Sequence, residues 1–299
     1  MSIKSILCVY GGALFEQNAL CTALSLADHF KAEARFLHIS IPPDVYPELY
    51  GMTLYGQAVT GDAGGLESIA EANEEQRNIA QTRVIAAAKA GNIAFSREDC
   101  LDGATGAAIA VFCPVTARTR HCLPPVGRLA DLIVIGRETS RFAGDLETVM
   151  CGLFDTGRPV LVIPHADDHP TPLCLTRKVA VAWDGSLPAA RALYHALPLL
   201  RQADQVQIIC VRPTNAGTEF EPEGGLAHWL DLHELTAHIH RVERYERTSG
   251  EAILSDATAF GADWLVMGAY GHNHIGEMIL GGATNHILKH SDMPVFLAH

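Results

Sequence analysis

Three short apolar runs occur twice in the same order, and this repetition limits the fold more than any other feature. Lys4-Ser5-Ile6-Leu7-Cys8-Val9-Tyr10-Gly11-Gly12 answers to Lys178-Val179-Ala180-Val181-Ala182-Trp183-Asp184-Gly185-Ser186. Ala130-Asp131-Leu132-Ile133-Val134-Ile135-Gly136 answers to Ala262-Asp263-Trp264-Leu265-Val266-Met267-Gly268, and Arg158-Pro159-Val160-Leu161-Val162-Ile163 to Met293-Pro294-Val295-Phe296-Leu297. The period is far longer than a solenoid repeat, so each copy is a whole domain. The join falls in the polar, proline-rich stretch 165–172. That places the domains at 1–166 and 176–299.

Each copy reads as strand and helix in alternation. Helices are predicted over 18–29 and 188–200, the second with Pro188 near its start, where proline is tolerated. In the second copy the strands are predicted at 178–183, 205–211, 237–243, 263–268 and 294–298. Continuous apolar strands alternating with helices give a parallel sheet covered on both faces. The expected fold is α/β, with two tandem doubly wound domains, each a five-stranded parallel sheet. Such sheets bind ligands beyond the carboxyl ends of their strands, where strand order reverses. Asp184 and Gly268 both stand at such ends. The first copy carries an insertion at 42–76. A helix is predicted over 66–88, and the part before it reads as a lid or an interface loop.

Composition excludes some partners. With 48% apolar and 19% charged residues, the 299-residue chain can bury a sizeable core. A net charge of −12 argues against a general nucleic-acid or anionic-membrane surface. It leaves room for one small phosphate site, because backbone amides hold phosphate without a basic patch. The N-terminal MSIKSILCVYGG is too short for a signal peptide, and no stretch reaches the ~20 apolar residues of a membrane span. The eight cysteines are scattered without a C-x-x-C pair, as in reduced, mostly buried thiols of a cytoplasmic protein. Cys113 and Cys122 flank a stretch read as a loop containing proline and arginine.

The stretch GAYGHNHIGEMILGGATNHIL, from Gly268 to Leu288, lies between a predicted strand and a predicted helix. Glycines there let backbone amides close around an anion, or simply make a turn. Together with AWDGS and GADWLVMGAYGH in order, this pattern resembles the universal stress protein family, in its tandem form, over essentially the whole chain. Nucleotide-binding members of that family carry a glycine, two residues, a glycine, nine residues, a glycine, then serine or threonine. Gly268, Gly271 and Gly281 keep that spacing, and Gly282 stands where the hydroxyl residue would be.

The resemblance implies an adenine nucleotide (ATP, ADP or AMP) in the second domain. Asp184 would face ribose or adenine, and could hold Mg2+ with the phosphates. Val211 would offer backbone contacts to adenine. Gly268 and Gly271 would pass close to ribose and phosphate, with His272 a donor to phosphate oxygens. Gly281, Gly282 and Ala283 would present amides at the start of the last helix, with Thr284 a substitute hydroxyl. Without a hydroxyl at 282, weaker triphosphate binding, or a preference for a mono- or diphosphate, is expected. The resemblance also implies that the last strands of the two copies pair, giving an internal pseudo-dimer, with association of two chains left open.

The first copy departs from the pattern. By the first alignment above, Tyr10 stands where Asp184 stands, and Arg137-Glu138-Thr139-Ser140 follows Gly136 with no second glycine at the right distance. It is expected to lack a nucleotide site and to serve structure or a protein partner. The bland reading of Asp184 is a helix cap in ordinary Asp-Gly-Ser turn chemistry. There is no catalytic constellation, neither a Walker lysine nor a G-x-S-x-G elbow, so slow ATP hydrolysis is the most enzyme chemistry expected. Histidines 228, 233, 238, 240, 272 and 274 raise a zinc alternative, but no tight ligand pattern accompanies them. The reading is therefore a stress-response protein whose nucleotide occupancy alters a surface met by an unidentified protein. A scaffold without nucleotide is the rival from another class.

Overall fold

The computed structural model describes residues 2–40, 42, 53–54, 57–58, 63–97, 106–138, 142–165, 172–173, 177–212, 223–269 and 282–299. The strands are β1 (Ser5–Val9), β2 (Glu33–Ser40), β3 (Thr53–Leu54), β4 (Gln57–Ala58), β5 (Ala94–Arg97), β6 (Ile109–Thr116), β7 (Leu132–Arg137), β8 (Val160–Pro164), β9 (Lys178–Ala182), β10 (Gln205–Arg212), β11 (His238–Glu243), β12 (Trp264–Gly268) and β13 (Val295–Ala298). The helices are α1 (Gln17–Phe30), α2 (Ala63–Ala90), α3 (Thr119–Gly127), α4 (Phe142–Met150), α5 (Leu187–Leu200), α6 (Leu226–Leu232), α7 (Ser249–Phe260) and α8 (Gly282–His290). β3 and β4 form a small antiparallel ribbon of their own.

The other eleven strands make one sheet, in the order β11-β10-β9-β12-β13-β8-β7-β1-β2-β6-β5. Within each half every pairing is parallel. The second half has the five strands expected, within one or two residues at their ends. The first half has a sixth: β5 lies outside β6, with Ala94 opposite Ile109. α2 is the helix expected in the insertion, extended to 28 residues. Most of the segment before it lies outside the described residues.

The central strands are apolar because both faces are covered. Ile6, Cys8, Phe36, Val181 and Phe296 pack toward α1, α2, α5 and α6, with Leu20, Val84, Leu193 and Leu230. Alternate residues point the other way. Leu7, Leu37, Leu265 and Leu297 pack with Leu123, Val149, Ile253 and Ile287. Cys113 lies in β6 and Cys122 in α3, so the stretch between them is a strand end and a helix start rather than a loop. Burial pushes the Cys122 thiol up. It pushes the Cys151 thiol, with help from the Asp155 charge, up to about 12. These are neutral, unreactive thiols near neutral pH.

The two halves meet where β13 pairs antiparallel with β8: Val295 faces Val162, Phe296 faces Leu161, and Leu297 faces Val160. All six are essentially buried. This is the internal pseudo-dimer, and it leaves neither half with an open apolar edge at the joint. Phe296 is fully buried at its centre. Phe296→Ala is expected to cost about 3–5 kcal/mol by chemical denaturation, and a loss below about 1 kcal/mol would mean that the joint contributes little.

Candidate functional site

In the second half, β9 lies between β10 and β12. The chain leaves β9 toward one neighbour and enters β12 on the other side, which opens a crevice beyond the carboxyl ends of the strands. Asp184 lies past the end of β9 and is exposed. Its Oδ1 accepts the Ser186 N–H at 2.9 Å. Ser186 Oγ in turn accepts the Ala189 N–H at 3.3 Å and caps α5. Gly185 makes the turn with φ of 76°. Asp184 therefore serves the turn and stays exposed, while Ser186, not Asp184, caps the helix. Val211 is half-buried at the end of β10, and Gly268 ends β12.

α8 begins at Gly282, which is exposed, followed by half-buried Ala283 and buried Thr284. Thr284 shares the buried side of α8 with Ile287 and Leu288. Among the described residues, a Cβ at Gly282 would meet nothing within 4 Å. The first amides of α8 have no partner within the helix, and the helix dipole favours an anion beside them. Gly271, His272 and Gly281 lie outside the described residues. The fold thus brings Asp184, Val211 and Gly268 to neighbouring strand ends.

Gly268 has a structural reason of its own. A Cβ there would lie 2.4 Å from the Ala189 nitrogen and 2.6 Å from the Pro188 carbonyl carbon. Only glycine lets the start of α5 rest on the end of β12. Gly136 repeats this in the first half, where a Cβ would lie 3.0 Å from Glu16 Cα. Gly250, in the first turn of α7, escaped the sequence reading. A Cβ there would lie 2.8 Å from His286 Cβ and 3.0 Å from the Ala283 carbonyl oxygen. It lets α7 close on α8. A glycine inside an apolar helix, where it weakens the helix, is the signal that was available.

The first half corrects the alignment by one residue. Asp131 Oδ2 accepts the N–H of Ser5 at 3.0 Å, and Asp263 Oδ2 accepts that of Lys178 at 3.0 Å. Tyr10 N–H donates to Leu37 and Trp183 N–H to Ile209, each at 2.9 Å. Tyr10 therefore matches Trp183, Gly11 matches Asp184, and Glu16 matches Ala189. The apolar strands slide along one another without penalty in sequence, whereas the ladder fixes them.

Here the strand end is filled by the protein itself. The Glu16 carboxylate accepts the N–H of Gly11 at 3.0 Å and of Ala13 at 2.8 Å. α2 lies against the same turn: a Cβ on Gly12 would be 2.9 Å from Ala80 Cβ, and Arg83 donates to the Gly12 carbonyl. Tyr10 is fully buried, and its hydroxyl accepts a hydrogen bond from Gln17 Nε2 at 2.9 Å. Burial, with the Glu16 charge, raises its pKa, so it stays a neutral phenol. Arg137, directly after Gly136, is buried and reaches α8 in the other half.

His238 and His240 lie on the edge strand β11 with ring centroids 6.2 Å apart. Among the described residues no three His, Cys, Asp or Glu side chains come together around a metal position. No helix of the described residues is long and apolar enough to cross a membrane.

With this geometry in view, residues 176–299 match the universal stress protein family. The second half of the chain is thus similar to the universal stress protein family. A universal stress protein of Synechocystis sp. is 27% identical over 182 residues, which are 58% of this chain and 60% of that protein. The match therefore spans less than two thirds of the curated relative. A crystal structure of a universal stress protein from Archaeoglobus fulgidus aligns over 98% of this chain and 96% of its own, with a TM-score of 0.65 and 18% identity. A functionally unknown protein from Pseudomonas aeruginosa PAO1 aligns over 99% and 92%, with a TM-score of 0.53 and 12% identity. At these identities the likeness is one of fold, and it extends over both halves.

The glycines separate by their surroundings. Gly268→Ala is expected to lower stability by about 1–3 kcal/mol because the start of α5 must move. Gly282→Ala meets nothing within 4 Å among the described residues and is expected to change stability by less than about 0.5 kcal/mol. Thermal denaturation of both variants checks this, and equal losses would contradict it.

Proposed function

We propose that the second half binds an adenine nucleotide across the ends of β9, β10 and β12, with its phosphates at the start of α8. The observation that carries this is the contrast between the halves. In the first, a carboxylate of the protein occupies the turn amides after β1. In the second, Ala189 stands in the place of Glu16, Asp184 takes only the Ser186 N–H, and among the described residues nothing lies within 4 Å of a Cβ at Gly282.

The residues fit such a ligand. Asp184 would meet the ribose or adenine, and the backbone of Val211 the adenine edge. The amides of Gly282 and Ala283 would meet phosphate. Mg2+, where it accompanies the phosphates, would share Asp184 and spread their charge. Occupancy changes the surface that a protein partner meets, and it does so to the extent that the ligand binds two states of that surface differently.

Titration calorimetry of the intact chain with ATP, ADP and AMP tests the reading. Saturable binding is expected, weakened about tenfold or more by Gly282→Asp, which sets a carboxylate against the phosphates. Gly282→Ser adds one neutral hydrogen bond and is expected to tighten ATP about two- to tenfold. Absence of binding at millimolar nucleotide would overturn the proposal and leave the scaffold reading.

A further inference from the structure

We propose that Arg137 is a positioning residue for the phosphate end of this site, acting on α8 from the opposite half of the chain. The inference deepens the nucleotide reading and rests on it. Arg137 is the last residue of β7 and only 2% exposed. Its Nη1 donates to the Leu288 carbonyl at 2.6 Å, and its Nη2 donates to the Ser291 carbonyl. These carbonyls lie at the end of α8, where the last turn lacks helical partners and the dipole favours a cation. The turn it grips is itself ordered. Ser291 N–H donates to the Ile287 carbonyl at 2.9 Å, and Ser291 Oγ donates to the Met293 carbonyl at 2.8 Å.

α8 has nine residues and so is only about 13 Å long. A grip on its carboxyl end sets where its amino end points. Gly250 fixes the same helix from within its own half, by admitting Ala283 and His286. The two halves differ at this position. The position matching Arg137 in the second half is Ala269, whose methyl has no such reach. Its carbonyl instead lies 3.1 Å from His299 Nδ1, while the His299 ring packs on Phe154. Where the repeat would place its phosphate loop, the first half has therefore an arginine that steadies the loop-bearing helix of the second.

A shift of α8 moves its amides relative to the strand ends that would hold the nucleoside. Loss of the grip must then weaken phosphate-bearing ligands and spare the nucleoside. The test uses the intact chain with Arg137→Lys, which keeps a cation but not the two-pronged fork. Val84→Ala, on the buried face of α2 and away from α8, controls for general destabilisation. ATP and adenosine affinities are measured by calorimetry at a temperature where all three proteins are folded, and α8 amide exchange by mass spectrometry.

Arg137→Lys is expected to weaken ATP about tenfold, within the range of changes that act through packed elements. Adenosine should change less than about twofold, and α8 exchange should quicken. Val84→Ala should leave both affinities and α8 exchange as in the parent. An unchanged ATP affinity, or an equal loss for ATP and adenosine, overturns the proposal. If the parent protein binds no ATP, the nucleotide reading fails by itself. Exchange then decides the grip: faster exchange confined to α8 upholds it, and unchanged exchange removes it.

Discussion

The antiparallel pairing of β8 with β13 is the constraint on which the rest depends. Each half alone would end its sheet in a bare apolar strand, Val160–Pro164 or Val295–Ala298. Such an edge invites pairing with another chain. Joined within one chain, the two edges satisfy each other and set the halves in a fixed relation. That relation lets Arg137, on the strand next to β8, reach the end of α8, which leads into β13. A continuous sheet of eleven strands is thus also the frame through which one half can act on the other.

Within this frame the halves differ at matching places around the ends of β1 and β9. Ala189 rests at the start of α5 where Glu16 closes its carboxylate over the turn of the first half. Ser186 caps α5, and Ala13 in its place has no hydroxyl, so Glu16 supplies the oxygen from three residues on. α6 has seven residues, whereas α2 has 28 and covers the turn at Gly12. Each change costs the first half an opening and gives it internal hydrogen bonds. The parallel strand order around β1 and β9 is shared while the two strand ends are built differently.

The duplication, the strands and the apolar joint were legible because they rest on apolar runs, which leave a strong pattern in sequence. Asp184, Val211 and Gly268 were rightly placed at strand ends. Their chemistry was less legible. Gly268 is explained first by the backbone of α5 beneath it, a contact between elements far apart in the chain. Tyr10 was set against Asp184 because a one-residue slide preserves an apolar run, and only the hydrogen bonds of Asp131 and Asp263 fix the register. Glu16, Ala80 and Arg83 close the first half through contacts that no local motif announces. Arg137 was visible as a cation directly after a buried strand, but its target lies in the other half. Sequence signals the periodic burial of apolar groups far better than the destination of a single long polar side chain.

The measurement that tests the account most directly is the number of nucleotide sites per chain. Intact protein, held well above its dissociation constant, would be titrated with ATP to its equivalence point. The account predicts one equivalent, taken up by the second half, with the first closed by Glu16 and α2. Two equivalents would contradict that closure, and none would contradict the open site at the start of α8.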